Sequence, residues 1–219
     1  MDNKWISNFT KTNSASNNNK TWEKYKNFQN WNYNKKSNQK NNIINRYSAG
    51  ILPYTYDLNG NCLVLLGKDQ DGVWSDFGGR CEIKDNYDQI QTASREFYEE
   101  TLGSIISIEE CIEKINSNEK KIISKTLNGS PYYMYLIYID YYNYVDTFLK
   151  TYSFMKYHFN NEKHQINKII EKNNIKWFSI NVLINSINNN NEIKKIYPLR
   201  NVFLKTLEKS KDELIYFIT

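Results

Sequence analysis

At 219 residues, with 40% apolar content and a net charge of +5, the chain is long enough for one sizeable domain with an appendage, or for two small domains. No apolar run approaches the ~20 residues of a membrane span, and MDNKWISNFT at the start has no signal-peptide core, so a soluble cytoplasmic protein with no membrane partner is expected. Three cysteines, Cys62, Cys81 and Cys111, are odd in number and lack paired or metal-type spacing, which argues against a disulfide framework and for a reducing compartment.

The first 47 residues are set apart. Met1 to Tyr47 has no proline or glycine and carries eight lysines and Arg46 against Asp2 and Glu23, a net +7 that leaves −2 for the remainder. Asparagine makes up roughly one residue in seven of the whole chain; Asn, Lys, Ile and Tyr share AT-rich codons, so the bias reports a genome before a function. Within the segment, WEKYKNFQNWNYNKK interleaves aromatic residues with lysines, the combination of backbone attraction and base stacking used by single-strand nucleic-acid binders. Trp22, Tyr25, Phe28 and Trp31 also recur every three residues, a stripe that more often docks a short helix onto its own domain. A basic, helical N-terminal extension over 1–47 is expected, with docking weighted above RNA contact and both compatible if the aromatics face inward and the lysines outward.

From Ser48 a second domain, 48–219, begins with strands. AGILPYTY and CLVLLGK flank the Asn59-Gly60 hairpin signal, Asp71-Gly72 makes a second turn, and VWSDF leads into Gly78-Gly79, read as a turn. Asp88 is the expected N-cap of the following helix, with Gln91 as its capping partner. Further on, SIIS reads as a short strand, SIEECIEKI as a short helix, and KKIISKT with PYYMYLIYID as a hairpin around Gly129 whose second strand, apolar on both faces, is central. VDTFLKTYSFMKYH and NEKHQINKIIEK have helical spacing, IKWFSI is a strand, and one amphipathic helix, LRNVFLKTLEKSKDELIYFI, ends the chain. His158 and His164 have no partners in the pattern and are read as structural.

The stretch with most chemistry in it is GGRCEIKDNYDQIQTASREFYEETLG, Gly78 to Gly103. Its helix places Glu96, Glu99 and Glu100 at i, i+3 and i+4, on one face and within about 6 Å of each other. Like charges that close repel, so the cluster calls for a cation. Oxygen ligands with no His or Cys beside them suit a hard divalent ion, Mg²⁺ or Mn²⁺. The competing reading is a charged surface helix with Arg95 and Glu99 paired at i, i+4.

This segment resembles the Nudix box, the signature of hydrolases that cleave a nucleoside diphosphate linked to another group. The family pattern runs Gly, five residues, Glu, seven residues, Arg-Glu-apolar-x-Glu-Glu, one residue, Gly-apolar; Gly79, Arg95, Glu96, Phe97, Glu99 and Glu100 match it. Asp85 stands where the first Glu belongs, nine residues separate it from Arg95, and Gly103 falls one place late. The resemblance implies an α/β protein, an α/β/α sandwich around a mixed sheet, acting as a metal-dependent pyrophosphohydrolase. It implies that Glu96, Glu99, Glu100 and the Gly78 carbonyl hold Mg²⁺ or Mn²⁺. Arg95 would orient a box glutamate, Glu99, without touching substrate. Asp85 would either help bind metal through water or cap the loop. The general base differs among members: Glu99, Glu100, or a glutamate ahead of a Trp-containing strand, a position that Glu171 holds in EKNNIKWFSI, with Glu162 as its substitute.

That Glu171 stretch resembles the mRNA-decapping Nudix enzymes, and the composition resembles that of Nudix proteins from large cytoplasmic DNA viruses, which would place the protein in a host cytoplasm. Together with the basic front segment, this implies hydrolysis of the RNA 5′ cap, releasing a capped nucleoside diphosphate and a 5′-monophosphate RNA. The alternatives are a hydrolase of free nucleotides, dinucleoside polyphosphates or inositol pyrophosphates, and a catalytically silent binding module of the same fold.

Overall fold

The computed structural model describes residues 47–159, 170–187 and 197–218. The expectations for 1–46, for most of NEKHQINKIIEK, and for Glu162 and His164 lie outside them. The strands are β1 (Ser48–Tyr56), β2 (Cys62–Asp69), β3 (Trp74–Ser75), β4 (Phe77–Arg80), β5 (Lys120–Lys125), β6 (Pro131–Tyr138) and β7 (Lys172–Ser179). They form one mixed sheet in the order β3-β2-β1-β6-β5, with β4 also on β1 and β7 also on β2. Among the strand pairs of the described residues β1–β6 is parallel and the other ladders are antiparallel, while an isolated parallel bridge joins Trp74 to Leu199.

Alternation along the strands sends side chains to two separate cores, because successive residues of a strand face opposite sides. Ala49, Ile51, Leu65, Phe77, Tyr135, Ile137 and Ile175 lie on one face. That face is covered by α1 (Gln89–Glu100), α2 (Ile108–Ser117) and α3 (Tyr144–His158), through Ala93, Phe97, Cys111, Ile115 and Phe148. Leu52, Val64, Leu66, Met134, Leu136 and Phe178 lie on the other face. There α4 (Ile180–Ile187), α5 (Asn201–Lys209) and α6 (Lys211–Ile218) pack with Leu183, Phe203, Leu207, Leu214 and Ile218. Helices on both faces of a mixed sheet make the α/β/α sandwich that was expected, and the hairpin strand β6 is interior as its apolar run required. No helix among the described residues is long and apolar enough to cross a membrane.

Several local expectations are corrected. Gly78-Gly79 is not a turn but part of β4, paired with Gly50 and Ala49 of β1. A Cβ on Gly50 would lie 2.5 Å from the Phe77 carbonyl oxygen and 2.8 Å from Gly78 Cα, so the glycines serve close backbone approach. Ser104 to Ser107 is not a strand: Leu102 and Gly103, with φ of 56° and 63°, turn the chain, and the Ser107 hydroxyl caps α2 by accepting from Glu110 N at 3.1 Å. β7 starts at Lys172 rather than at Ile175, with the polar Asn174 paired to Lys68. The C-terminal helix is two helices, because the buried Ser210 ends α5 and its carbonyl accepts from Leu214 N to start α6. α4 is a helix that the asparagine-rich sequence did not announce.

The Gly50–Gly78 approach yields a stability prediction. Gly50→Ala should cost about 3 kcal/mol or prevent folding, since neither strand can retreat without breaking its ladder. Gly60→Ala, in an open turn at φ 78° with nothing within 4 Å, should cost only about 1 kcal/mol. Urea denaturation of both variants tests the contrast.

Candidate active site

The site is assembled at the junction of β4, the loop after it and α1. Asp88 caps α1 as expected, its Oδ1 accepting from Ile90 N at 2.7 Å and Gln91 N at 3.2 Å. The reciprocal capping box forms one turn earlier, between Glu82 and Asp85 around the short 3₁₀ turn Ile83–Asp85. Two consecutive left-handed residues, Asn86 at φ 53° and Tyr87 at φ 60°, then absorb the longer spacing before the helix.

Arg95 is the hub. Its Nε and Nη2 donate to the two carboxylate oxygens of Asp85 at 2.7 and 2.9 Å, Nη2 also donates to the Arg80 carbonyl at 3.0 Å, and Nη1 donates to Glu99 Oε2 at 2.9 Å. Nη1 also makes an ion pair with Glu96 Oε1 at 2.8 Å. Burial opposes the charge on Arg95, but the bonds to Asp85 and the nearby Glu96 and Glu99 carboxylates outweigh it and push its pKa up. Burial likewise opposes the charge on Asp85, yet the bonds from Arg95, Glu82 N and Thr92 hold its carboxyl below the usual range. Of the two roles expected for Asp85, the geometry shows the structural one: it orders the loop and fixes Arg95. Arg95 does pair with Glu99, whose other oxygen accepts from Lys84 Nζ at 3.0 Å.

Glu100 lies one turn further along α1 and is buried. Its Oε2 accepts from the Gly78 N–H at 2.8 Å, which brings the box helix against β4, while Oε1 accepts no hydrogen bond. Burial pushes Glu100 up to about 8, Lys172 opposes the rise, and Glu96 and Glu171 add to it. Burial also raises Glu96 to about 7 against the pull of Arg95, with Glu99 and Glu171 adding to the rise. A Cβ on Gly79 would fall on the Glu96 carboxylate and push it from its place beside Arg95.

A cavity of about 400 Å³ is lined by Glu96, Glu99, Glu100 and Glu171 together with Tyr98, Leu102 and Met155. Glu171, exposed and 71 positions from Glu100 in the chain, thus lines the same cavity as the three glutamates of α1. Among the described residues no three carboxylates, histidines or cysteines stand close enough as they are to hold a metal ion; Glu96 and Glu99 are turned toward Arg95. The donor set nonetheless fits a hard divalent cation: all its side chains are carboxylates, burial and, to a lesser extent, their mutual repulsion raise two of them, and Glu100 Oε1 is a buried acceptor with no hydrogen bond. His158 is exposed and packs edge-on against Phe154, with ring centroids 4.2 Å apart. The free thiols of Cys62 and Cys111 are buried and that of Cys81 is half-buried.

Sequence reasoning missed Lys172, fully buried against Asp69 and Glu100, and the neighbouring Asp76, pushed up to about 6 by burial despite accepting from Tyr132. Nothing in the run EKNNIKW distinguishes a buried lysine from a surface one.

No protein-family model and no curated protein matches the chain. Among solved structures it is similar to Shewanella oneidensis NrtR (14% identity, covering 78% of this chain and 64% of that one, TM-score 0.42). It is likewise similar to the NUDIX domain of that protein complexed with ADP ribose (14% identity, 86% of this chain and 97% of that one, TM-score 0.44). A third similar structure is a C. elegans Ap4A hydrolase binary complex (17% identity, 78% of this chain and 99% of that one, TM-score 0.40). The chain spans 64% of the full NrtR chain, and the likeness to all three is one of fold.

Two outcomes follow from these contacts. Asp85→Ala leaves Arg95 buried without its bidentate partner and should cost about 3–5 kcal/mol, read by chemical denaturation. Glu100→Gln should have a pH-dependent effect in metal-free buffer. Between the ordinary carboxylate value of 4.5 and the folded value of about 8, the folded wild type binds more protons at this site than the unfolded chain, so its stability falls as pH rises through that window. The variant lacks this loss, so its melting temperature relative to wild type should rise from pH ~5 to pH ~8.5 by on the order of 5 °C. A constant difference across that range would refute the assignment of Glu100 as a desolvated carboxylate.

Proposed function

We propose that the chain is a Nudix-type, divalent-metal-dependent hydrolase of diphosphate linkages, and that its substrate is the 5′ cap of RNA. The observation that carries the reaction class is the convergence of Glu96, Glu99, Glu100 and the distant Glu171 on one cavity. A cluster with only a solubilising role would not bury two of its members beside a backbone N–H and an arginine hub. The cap assignment is supported by the Glu171 stretch and by the basic, aromatic segment 1–47, to which the RNA contact is assigned.

In this reading Glu96, Glu99, Glu100 and the Gly78 carbonyl hold Mg²⁺ or Mn²⁺. The bound ion supplies charge neutralisation at the phosphate oxygens and acidifies the attacking water. Arg95 orients Glu96 and Glu99 and stays off the substrate, since Asp85 and Arg80 saturate its inner side. Glu171, exposed at the cavity, is the general base that takes the water proton. Water adds across one phosphoanhydride bond, giving a capped nucleoside diphosphate and a 5′-monophosphate RNA.

The deciding experiment is a substrate panel with Mn²⁺ comparing capped RNA, cap analogue, nucleoside triphosphates, dinucleoside polyphosphates and inositol pyrophosphates. Capped RNA is expected to be cleaved in preference to the free compounds, with Glu171→Gln lowering kcat by about 10²–10⁴ and Glu100→Gln abolishing turnover. Preference for a free nucleotide or inositol pyrophosphate would overturn the cap assignment. Inactivity on the whole panel would favour the binding module.

A further inference from the structure

Lys172 opens β7, and its side chain is 0% exposed. Room for it is made by Gly67, where a Cβ would fall 2.8 Å from Lys172 Cδ and 2.9 Å from Cε. The ammonium donates to Asp69 Oδ1 at 2.6 Å, Ser75 Oγ at 2.8 Å and the Asp76 carbonyl at 3.4 Å. It also stands 3.4 Å from Glu100 Oε1, the oxygen that accepts no hydrogen bond. Asp69 turns its second oxygen to Arg200 Nε at 3.2 Å. A cation buried this completely is retained only against partners that compensate it, and Lys172 lies between two carboxylates, one tied toward the C-terminal segment and one lining the cavity.

Resting on the metal-site reading above, we propose that Lys172 is a positioning residue for Glu100: the built-in counter-cation that holds its carboxylate in place and competes with a divalent cation for it. Two cations cannot share one carboxylate oxygen without repelling each other, so Lys172 must lower the affinity of the cavity for a metal ion. Asp69 is the partner on which the ammonium falls back when Glu100 is engaged. The arrangement makes Glu100 ordered before metal arrives and makes metal binding weaker than the carboxylates alone would give.

The test is Mn²⁺ binding to the full chain without substrate, followed by the loss of the free-ion electron paramagnetic resonance signal. Lys172→Met, with folding checked by cooperative melting, should bind Mn²⁺ about tenfold more tightly, equivalent to about 1.4 kcal/mol. Asp69→Asn, which leaves Lys172 with Glu100 as its charged partner, should bind it several-fold more weakly. A purely structural lysine would weaken Mn²⁺ binding or leave it unchanged when removed, and either result in folded Lys172→Met overturns the proposal. If that variant does not fold, Asp69→Asn decides, and unchanged or tighter binding there has the same force. Wild-type protein that binds no Mn²⁺ would overturn the metal-site reading itself, whereas wild-type binding that neither variant alters removes only the role of Lys172.

Discussion

The buried guanidinium of Arg95 dictates the conformation of everything around the box. A guanidinium does not surrender its proton, so burying one obliges the chain to surround it with acceptors. Those acceptors come from three places: the end of β4 through the Arg80 carbonyl, the 3₁₀ turn through Asp85, and α1 itself through Glu96 and Glu99. Asp85 supplies two of those acceptors from the loop. The loop is wound so tightly, with Asp85 closing a capping box on Glu82 N at 2.8 Å, that its side chain reaches Arg95 with both oxygens. The left-handed Asn86 and Tyr87 are the backbone cost of that winding.

A second constraint opposes the first. Glu96 and Glu100 are both buried, and each is pushed toward its neutral form by burial and by neighbouring carboxylates. The structure divides them between two cations from different elements: Arg95 faces Glu96 and Glu99, Lys172 faces Glu100. Even so, four glutamates line the cavity, and the cations beside them are shared with further carboxylates, Arg95 with Asp85 and Lys172 with Asp69. Negative charge in excess of its internal compensation, held in a concave site, is a standing cost to folding that a ligand of opposite charge relieves.

Features written in short-range pattern were legible in the sequence. β1, β2, β5 and β6 were read from apolar runs between turn residues, α1 from its cap and spacing, and the carboxylate face from i, i+3, i+4 periodicity. What escaped depends on contacts between residues far apart. Gly78-Gly79 looks like a turn because the glycine it must approach, Gly50, is 28 positions away. Lys172 looks like a surface lysine because the residues that bury it, Asp69, Ser75 and Glu100, come from three other stretches. The division of the C-terminal helix at Ser210 was likewise hidden, since its amphipathic period continues through the break.

The displaced glycine at the end of α1 shows how a small departure in pattern can alter the site wall rather than the helix end. Position 102, where the Nudix pattern has glycine, is Leu102, and its backbone takes the left-handed φ of 56° all the same. Gly103 follows at 63° and donates from its N–H to the Tyr98 carbonyl at 2.8 Å, so the helix stops where a glycine would have stopped it. The strain of a left-handed leucine, about 1 kcal/mol, is offset by packing, because Leu102 joins the core beneath α1. The Tyr98 ring sits so close over Gly103 that a Cβ there would lie 2.8 Å from its Cζ. Both Leu102 and Tyr98 line the cavity, and with Met155 they supply its apolar part, where a glycine would have left open space. With Gly103 one residue later, the stop signal is preserved and Leu102 places a side chain in the cavity wall, beside the four glutamates.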